Sequence, residues 1–260
     1  MKGDNARAGT QVVARISTLL RAVSSHAPKA LSTTELAATT GLTRPTTYRL
    51  LAALADEGFL DRQGMAWVPG PELYLLGTVA TERYDITELA REHVRDLARL
   101  TGESAFFSAR RGYETVCLLR EEGSFPIRSF VLHEGIRLPL GVASAGLAIL
   151  AFMTASERQA YLDGIDLTSE WGEEHGREAL VARLRKVRES GWSLNPGLVV
   201  EGSWGMGAAV FDKRGEPAWA LSLTGIQPRF RPDRQRDLGN ALLQHAHALS
   251  QAVRARRVQA

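Results

Sequence analysis

The sequence predicts an α+β protein in two parts: a small helical unit that ends in a β-hairpin, and a larger unit in which helices flank a central antiparallel sheet. Three observations carry this. Apolar residues recur at helical spacing from Gln11 to Ala55, then fall in two short runs about Arg62-Gln63-Gly64. From Thr87 onward the patterns read helix, strands, helices, strands, helix, the order of helices gathered on an antiparallel sheet. The length of 260 residues fits one or two domains at a prior of ~150 residues each.

Met1 to Gly9 is polar and is expected to be a loose, disordered tail. Val12, Val13, Ile16, Leu19, Leu20 and Val23 then give a first helix that should pack beneath the next two, and Ser24 to Ala30, with Pro28, is a loop. Ser32 and Glu35 have the spacing of a capping box, so a second helix starts there and stops at Gly41, which accepts the left-handed conformation of a helix end. Thr43 can cap a third helix with Pro45 in its first turn, where N–H groups lack partners anyway. At ~100° per residue, Thr47, Leu50, Leu51, Leu54 and Ala55 share one face, and Thr46, Arg49, Ala53 and Asp56 the other. The segment Phe59 to Val68 reads as a hairpin with a basic tip at Arg62-Gln63-Gly64.

A helix, a sharp turn, a second helix with an apolar inner face and a small, partly basic outer face, and then a hairpin make a winged helix-turn-helix. Such a second helix fits a major groove ~12 Å wide. A plain helical hairpin with a solvated face is the competing reading of the same residues.

Pro71 opens a further helix whose apolar stripe, Leu73, Leu75, Leu76 and Val79, is either a dimer seam or packed on its own chain. A helix from Leu89 to Leu100 ends at Gly102, and three β-rich runs follow: Ser104–Ala109, Glu114–Leu119 and Ile127–Leu132. Gly135 to Gly141 is expected as a loop leading into a small-residue helix, Ala143 to Leu150. Helices near Ser156–Leu162 and Arg177–Ser190 precede strands at Leu198–Val200, Met206–Phe211 and Ala218–Thr224, and a last helix runs from Pro232 to about Arg254. The expected division is residues 1–9 tail, 10–70 winged helix-turn-helix, 71–82 linker helix and 83–258 the larger α+β domain.

The net charge of +3 says little, and residues 1–80 carry eight Lys/Arg against six Asp/Glu, so an expectation of nucleic-acid binding rests on pattern rather than charge. One cysteine, Cys117, excludes an intramolecular disulfide and a cysteine-rich metal site. It lies in an apolar run and reads as a small buried residue. No apolar run of ~18 residues and no secretion signal occur, so the expected location is the cytoplasm, with no membrane partner.

In order and spacing the chain resembles the isocitrate lyase regulator (IclR) family of bacterial transcription factors. The resemblance runs from about Gln11 to Val253. It is carried by Leu36-Ala37, Gly41-Leu42, Arg44 to Leu51 and Leu54 to Leu60 in the first part. In the second it is carried by Leu89-Ala90-Arg91, Thr101-Gly102-Glu103, Gly135 with Arg137 to Leu140, Ala143 with Gly146, Gly191-Trp192, Ala208 to Asp212 and Ala220 to Gly225. It implies a winged helix-turn-helix that binds double-stranded operator DNA, and a GAF-like effector domain that holds a small molecule against its sheet. It also implies repressors or activators working as homodimers or tetramers. The chain departs from the family at Pro45, usually Ser, at Gly141, often His, and at Leu147, often Lys. Near Leu198 the family usually has an acidic residue; Gly205 stands where Cys is common and Ala209 where proline is frequent.

For DNA, the candidate residues are Thr43, Arg44, Pro45, Thr46, Tyr48, Arg49 and Arg62. The guanidinium of Arg49 can fork onto guanine or grip a phosphate. Thr43, Arg44 and Thr46 sit at a helix N-terminus, which favours phosphate. Base readout is expected from Thr46 and Arg49, and backbone contact from Arg62. For the effector, the resemblance maps the pocket onto Ile127, Phe130, Ser144, Ala145, Asn195, Ser203, Gly205, Ser222 and Thr224. Physical reasons support part of this set. Ser144 and Ala145 lie near a helix N-terminus suited to a carboxylate. Ser222 and Thr224 share one strand face, where they either fix a polar head group or face solvent. Phe130, Met206 and Trp204 are candidate apolar walls. The expected ligand is a small carboxylate or aromatic acid, with no metal and no cofactor.

An enzyme is the competing class, and no HExxH, GxSxG or P-loop pattern occurs. His245 and His247 point about 200° apart on a helix and cannot share a metal without help, so one reads as packed and one as solvated. A winged-helix adaptor or a small-molecule sensor without direct DNA binding is the other alternative. A steep salt dependence of DNA binding separates the DNA reading from it.

Overall fold

Helix α1 (Gly3–Ser25) opens the chain in the computed structural model, which describes residues 3–26, 29–83 and 86–255. The tail expected over residues 1–9 is therefore helical from Gly3, and Met1 and Lys2 lie outside the described residues. Ala6, Arg7 and Ala8 are strong helix formers, and adding turns to an existing helix is far easier than starting one. Leu19, Ala22 and Val23 are buried, but Val12 and Val13 are exposed, so only the C-terminal half of the expected apolar stripe packs. Ala27 and Pro28 of the expected loop are outside the described residues.

The chain divides into two units, Met1–Tyr84 and Asp85–Ala260. In the first, β1 (Leu31–Ser32) leads into α2 (Thr33–Thr40) through the expected capping box: Glu35 N–H donates to Ser32 Oγ at 3.3 Å, and Ser32 N–H donates to Glu35 Oε2 at 2.8 Å. Gly41, at φ 67°, ends α2 in the left-handed region. Then α3 (Arg44–Asp56) buries Thr47, Leu51 and Leu54 and leaves Arg49, Ala53 and Asp56 outside. Strands β2 (Leu60–Gln63) and β3 (Ala66–Pro69) form the hairpin, and β1 joins it as a third strand in the order β1-β3-β2. The tip is Gly64-Met65, not Arg62, because Gly64 at φ 63° supplies the turn and Arg62 stays paired with Trp67. Helix α4 (Pro71–Arg83) closes this unit, with Tyr74, Leu75, Leu76 and Val79 all more than half exposed.

In the second unit, α5 (Ile86–Thr101) precedes β4 (Ser104–Arg111) and β5 (Glu114–Glu121), as the spacing predicts. Residues 127–132 are not a strand. The next strand is β6 (Arg137–Pro139), inside the stretch read as a loop. It pairs with Glu114–Val116 at the sheet edge, where Pro139 needs no N–H partner. The 127–132 run leaves the sheet because its polar tie goes elsewhere: the Ser129 and Ser203 hydroxyls are 2.6 Å apart.

Helices α6 (Ser144–Phe152), α7 (Ala155–Gly164), the short α8 (Thr168–Trp171) and α9 (Arg177–Ser190) follow. Strand β7 spans Trp192–Pro196, and the expected Leu198–Val200 strand is instead a bent segment, since Pro196-Gly197 ends the extended run. Strands β8 (Ser203–Phe211) and β9 (Pro217–Ile226) and helix α10 (Pro232–Ala255) complete the chain.

The sheet is antiparallel in the order β6-β5-β4-β9-β8-β7. One face packs on α5 and α10 through Phe107, Met206, Leu221 and Leu223. The other packs on α6, α7 and α9 through Phe106, Ala220, Leu147 and Leu184. At the end of α5, the buried Glu103 carboxylate takes two hydrogen bonds from Arg229 and one from Arg234, all at 2.7 Å, which ties β4 to the start of α10.

Candidate functional site

The candidate DNA surface is built around Trp67. Its indole N–H donates to Thr33 Oγ1 at 2.9 Å, the Tyr48 ring meets it edge-on at 6.4 Å, and the Arg62 guanidinium lies 5.2 Å from its centroid. These contacts fasten the wing to α2 and α3. A cleft of about 360 Å³ opens between them, flanked by Arg44 and Arg62 and lined also by Thr34, Pro45 and Tyr48. Thr43, Arg44, Pro45, Tyr48, Arg49 and Arg62 are exposed, and Thr46 is half-buried. Thr43 caps α3 by position only. Its hydroxyl donates to Thr46 Oγ1 at 2.9 Å, which leaves the Thr46 proton free to donate.

In the second unit, the first turn of α6 lies against the sheet. It can do so because β8 presents glycine: a Cβ on Gly207 would sit 3.1 Å from the Ser144 backbone carbonyl, and one on Gly205 3.1 Å from Ser144 Oγ. No side chain caps α6. Facing it on β9 are Ser222 and Thr224, both buried rather than turned to solvent, and both hydroxyl oxygens lack a hydrogen-bond partner. Burying such a group without a partner costs about 1–3 kcal/mol, so two together mark a place where an acceptor or donor is wanted.

A cavity lies here, lined by Ser144, Asn195, Ser203, Gly205 and Thr224 of the predicted set. Its remaining walls are Val131, Leu132, Ala143, Val199 and Trp204, and none of its lining residues is ionisable. Its volume is about 20 Å³, room for roughly one water. Ala145 is buried beside it, and Ser222 is buried on the same strand face as Thr224.

Ile127 and Phe130 do not line it. They are 63% and 65% exposed, and Phe130 lies beneath the Arg120 and Arg128 guanidiniums instead. Their segment left the sheet, so the alternation that would have turned them inward is lost. Met206 is no wall either, because it points to the α5–α10 face between Gly205 and Gly207. The side chain of Asn195 is already engaged: its amide donates to the Val142 carbonyl at 2.7 Å and its oxygen accepts from Leu198 N–H at 2.9 Å. Asn195 therefore fixes the cavity wall. Of the lining residues outside the predicted set, Val131, Leu132 and Val199 fall in apolar runs read as strands. Only their departure from the sheet makes them walls.

Burial pushes the Cys117 thiol up to about 12, with Glu134 adding to the shift, which fits an inert core residue. His245 is half-buried with its Nδ1 3.0 Å from His93 Nδ1, while His247 is exposed. No group of three or more His, Cys, Asp or Glu among the described residues is arranged to hold a metal.

Residues 12–64 match the family described as the IclR helix-turn-helix domain, and residues 78–251 match that described as bacterial transcriptional regulator IclR, C-terminal. The chain is 31% identical over 248 residues to the HTH-type transcriptional regulator TtgV of Pseudomonas putida, covering 94% of this chain and 92% of that protein. It is 26% identical over 211 residues to KipR of Bacillus subtilis, covering 80% and 84%. Among solved structures, the Thermotoga maritima IclR superposes with a TM-score of 0.72 at 23% identity, over 96% of this chain and 99% of that one. An IclR homologue of Microbacterium hydrocarbonoxydans, complexed with 4-hydroxybenzoate, does so at 0.76 and 19% identity, over 94% and 100%. With the matched segments spanning both units and a relative above 30% identity along nearly its whole length, the chain belongs to the IclR family of bacterial transcriptional regulators.

Proposed function

We propose that this regulator grips operator DNA as a homodimer and that a small aromatic or otherwise apolar carboxylic acid, seated between α6 and the sheet, resets its operator affinity. The observation that carries the ligand class is the pair of buried, unpartnered hydroxyls, Ser222 Oγ and Thr224 Oγ1, beside the uncapped start of α6. Two O–H donors and the positive end of a helix suit a carboxylate, and Val131, Leu132 and Val199 suit an apolar body. A structural neighbour that binds 4-hydroxybenzoate favours the same class. As it stands the cavity has room for about one water, so the ligand makes its space by parting the segments held by the Ser129–Ser203 hydrogen bond.

On the DNA side, Arg49 and Thr46 read base edges, while Thr43, Arg44, Tyr48 and Arg62 hold the backbone, with Pro45 shaping the first turn. The exposed stripe of α4 supports the dimer, because a contiguous apolar face on a linker needs a cover. Residues 10–70 then form the DNA module, 71–82 the linker helix and 83–258 the effector domain. The linker is the route by which two arrangements of the dimer, with different ligand affinities, are coupled. A regulator that grips operator DNA acts where that DNA is, in the cytoplasm.

The test is a thermal-shift panel of aromatic and aliphatic acids, read against operator titrations. A 4-hydroxybenzoate-like acid that raises Tm of the wild type, fails on Ser222→Ala/Thr224→Val and changes operator affinity is the expected result. A panel that moves neither Tm nor operator affinity rejects the ligand class.

A further inference from the structure

The β7 edge of the six-stranded sheet carries a second cavity of about 540 Å³, and it shares no lining residue with the one beneath α6. We propose that this trench, between α9, β7 and the start of α10, binds an elongated amphipathic monocarboxylate, with its anion at Arg183 and Lys186 and its apolar body along Val187 and Leu194. The reading goes beyond the effector site above and does not depend on it.

Strand β7 is one of the two edge strands, so no described strand covers its outer side. An uncovered edge is a liability that folded proteins usually blunt or use. The floor is apolar: Leu147 and Val187 are each about 1% exposed, and half-buried Leu194 continues it from the other face of β7. Above it, Arg183 and Lys186 stand three residues apart on α9, on the same face. Neither forms an ion pair among the described residues. The Arg183 guanidinium is held in place, donating from Nη1 to the Gly141 carbonyl at 3.4 Å and from Nη2 to the Glu174 carbonyl at 3.1 Å. Its Nε is buried with no partner. A fixed guanidinium with one unmet N–H, beside the exposed ammonium of Lys186, offers a carboxylate both charge and a donor.

The trench has a direction. Gly191 ends α9 and turns the chain back into β7, so Arg183 lies toward Pro196 while Glu189 and Ser190 lie toward Trp192. One end is cationic and the other carries a carboxylate, which repels a second anion. The four residue steps from Pro196 to Trp192 span roughly 13 Å, which sets the length of the apolar body. A chain acid with one head group fits this pattern; a dicarboxylate or a bare aromatic acid does not.

The experiment is calorimetric titration of the full chain with decanoate, with decanol and decanedioate as comparisons. Lys186→Glu and Thr224→Val are the variants, each checked for an unchanged circular-dichroism melt. Lys186 is exposed, so its replacement is tolerated by the fold. Saturable binding of one decanoate per chain is expected. It should be weakened about tenfold or more by Lys186→Glu, be retained in Thr224→Val, and be weaker to a similar degree for decanol and decanedioate. Absence of saturable heat at millimolar decanoate overturns the proposal, as does equal affinity in Lys186→Glu. Loss of binding in Thr224→Val alone overturns it by placing decanoate under α6. Wild-type self-association that Lys186→Glu abolishes, without decanoate binding, overturns it by making the edge an interface between copies of the chain.

Discussion

Single side chains decide what each site can recognise. Arg49 is exposed on α3 and its guanidinium is free to reach a base edge, whereas Arg62 is committed to the Trp67 ring and is confined to what lies beside the wing. Arg49→Ala should cost about 1–3 kcal/mol of operator affinity and relax specificity at one base pair, with Tm unchanged. A gel-shift titration that finds wild-type affinity would remove Arg49 from the interface. At the proposed ligand cavity the decisive residue has no side chain. Gly207→Val would push a branched side chain into the Ser144 carbonyl from 3.1 Å and lift α6 off β8. A loss of about 1–3 kcal/mol in chemical denaturation is expected. If Gly207→Val is as stable as the parent, the close approach is not what seats α6.

Elements add what residues alone do not hold. The capping box at Ser32 starts α2 and, through β1, ties that start to the wing. Ser32→Ala should lower the stability of the DNA-binding unit by about 0.5–2 kcal/mol, seen as an earlier loss of protection in its amides. Helix α4 poses the opposite case, a regular helix whose apolar face has no cover within the described chain. The double substitution Leu75→Glu with Val79→Glu should leave helix content unchanged and convert the proposed dimer to a monomer in analytical ultracentrifugation. A wild type already monomeric at micromolar concentration would contradict the dimer.

For the whole molecule, pH is the accessible lever. His93, His175 and His245 all titrate below the ordinary histidine value of 6.5, chiefly because burial disfavours the charged ring. His245 lowers His93 further, while Asp96 and Glu92 pull it back; Asp96 acts the same way on His245. For His175, the carbonyls of Trp171 and Val142 and the Glu174 charge oppose burial, and Arg183 adds to it. In the window between these lowered values and 6.5, the unfolded chain binds more protons than the folded one, so stability rises with pH and is lost as pH falls below about 6.5. Tm should therefore decline from pH 7 to pH 5, and His245→Asn should flatten part of that decline. A Tm indifferent to pH across this range, or one that rises on acidification, would show that the rings are not held neutral.

Local decisions were legible in the residues alone: the capping box, the Gly41 stop, the amphipathic α3, the strand over β9 and the long final helix. Each depends on residues within a few positions of one another, so spacing and side-chain chemistry suffice. The sequence also placed Ser222 and Thr224 on one face, because alternation along a strand needs no partner to be read. Tertiary structure decided which extended runs join the sheet. Residues 127–132 and 198–200 have strand-like composition, yet Ser129 bonds to Ser203 and Gly197 breaks the run. Both segments became cavity walls and Ile127 and Phe130 turned outward. Pairing partners far apart in the chain, and the close seat that two glycines give α6, are set by contacts that no local pattern records.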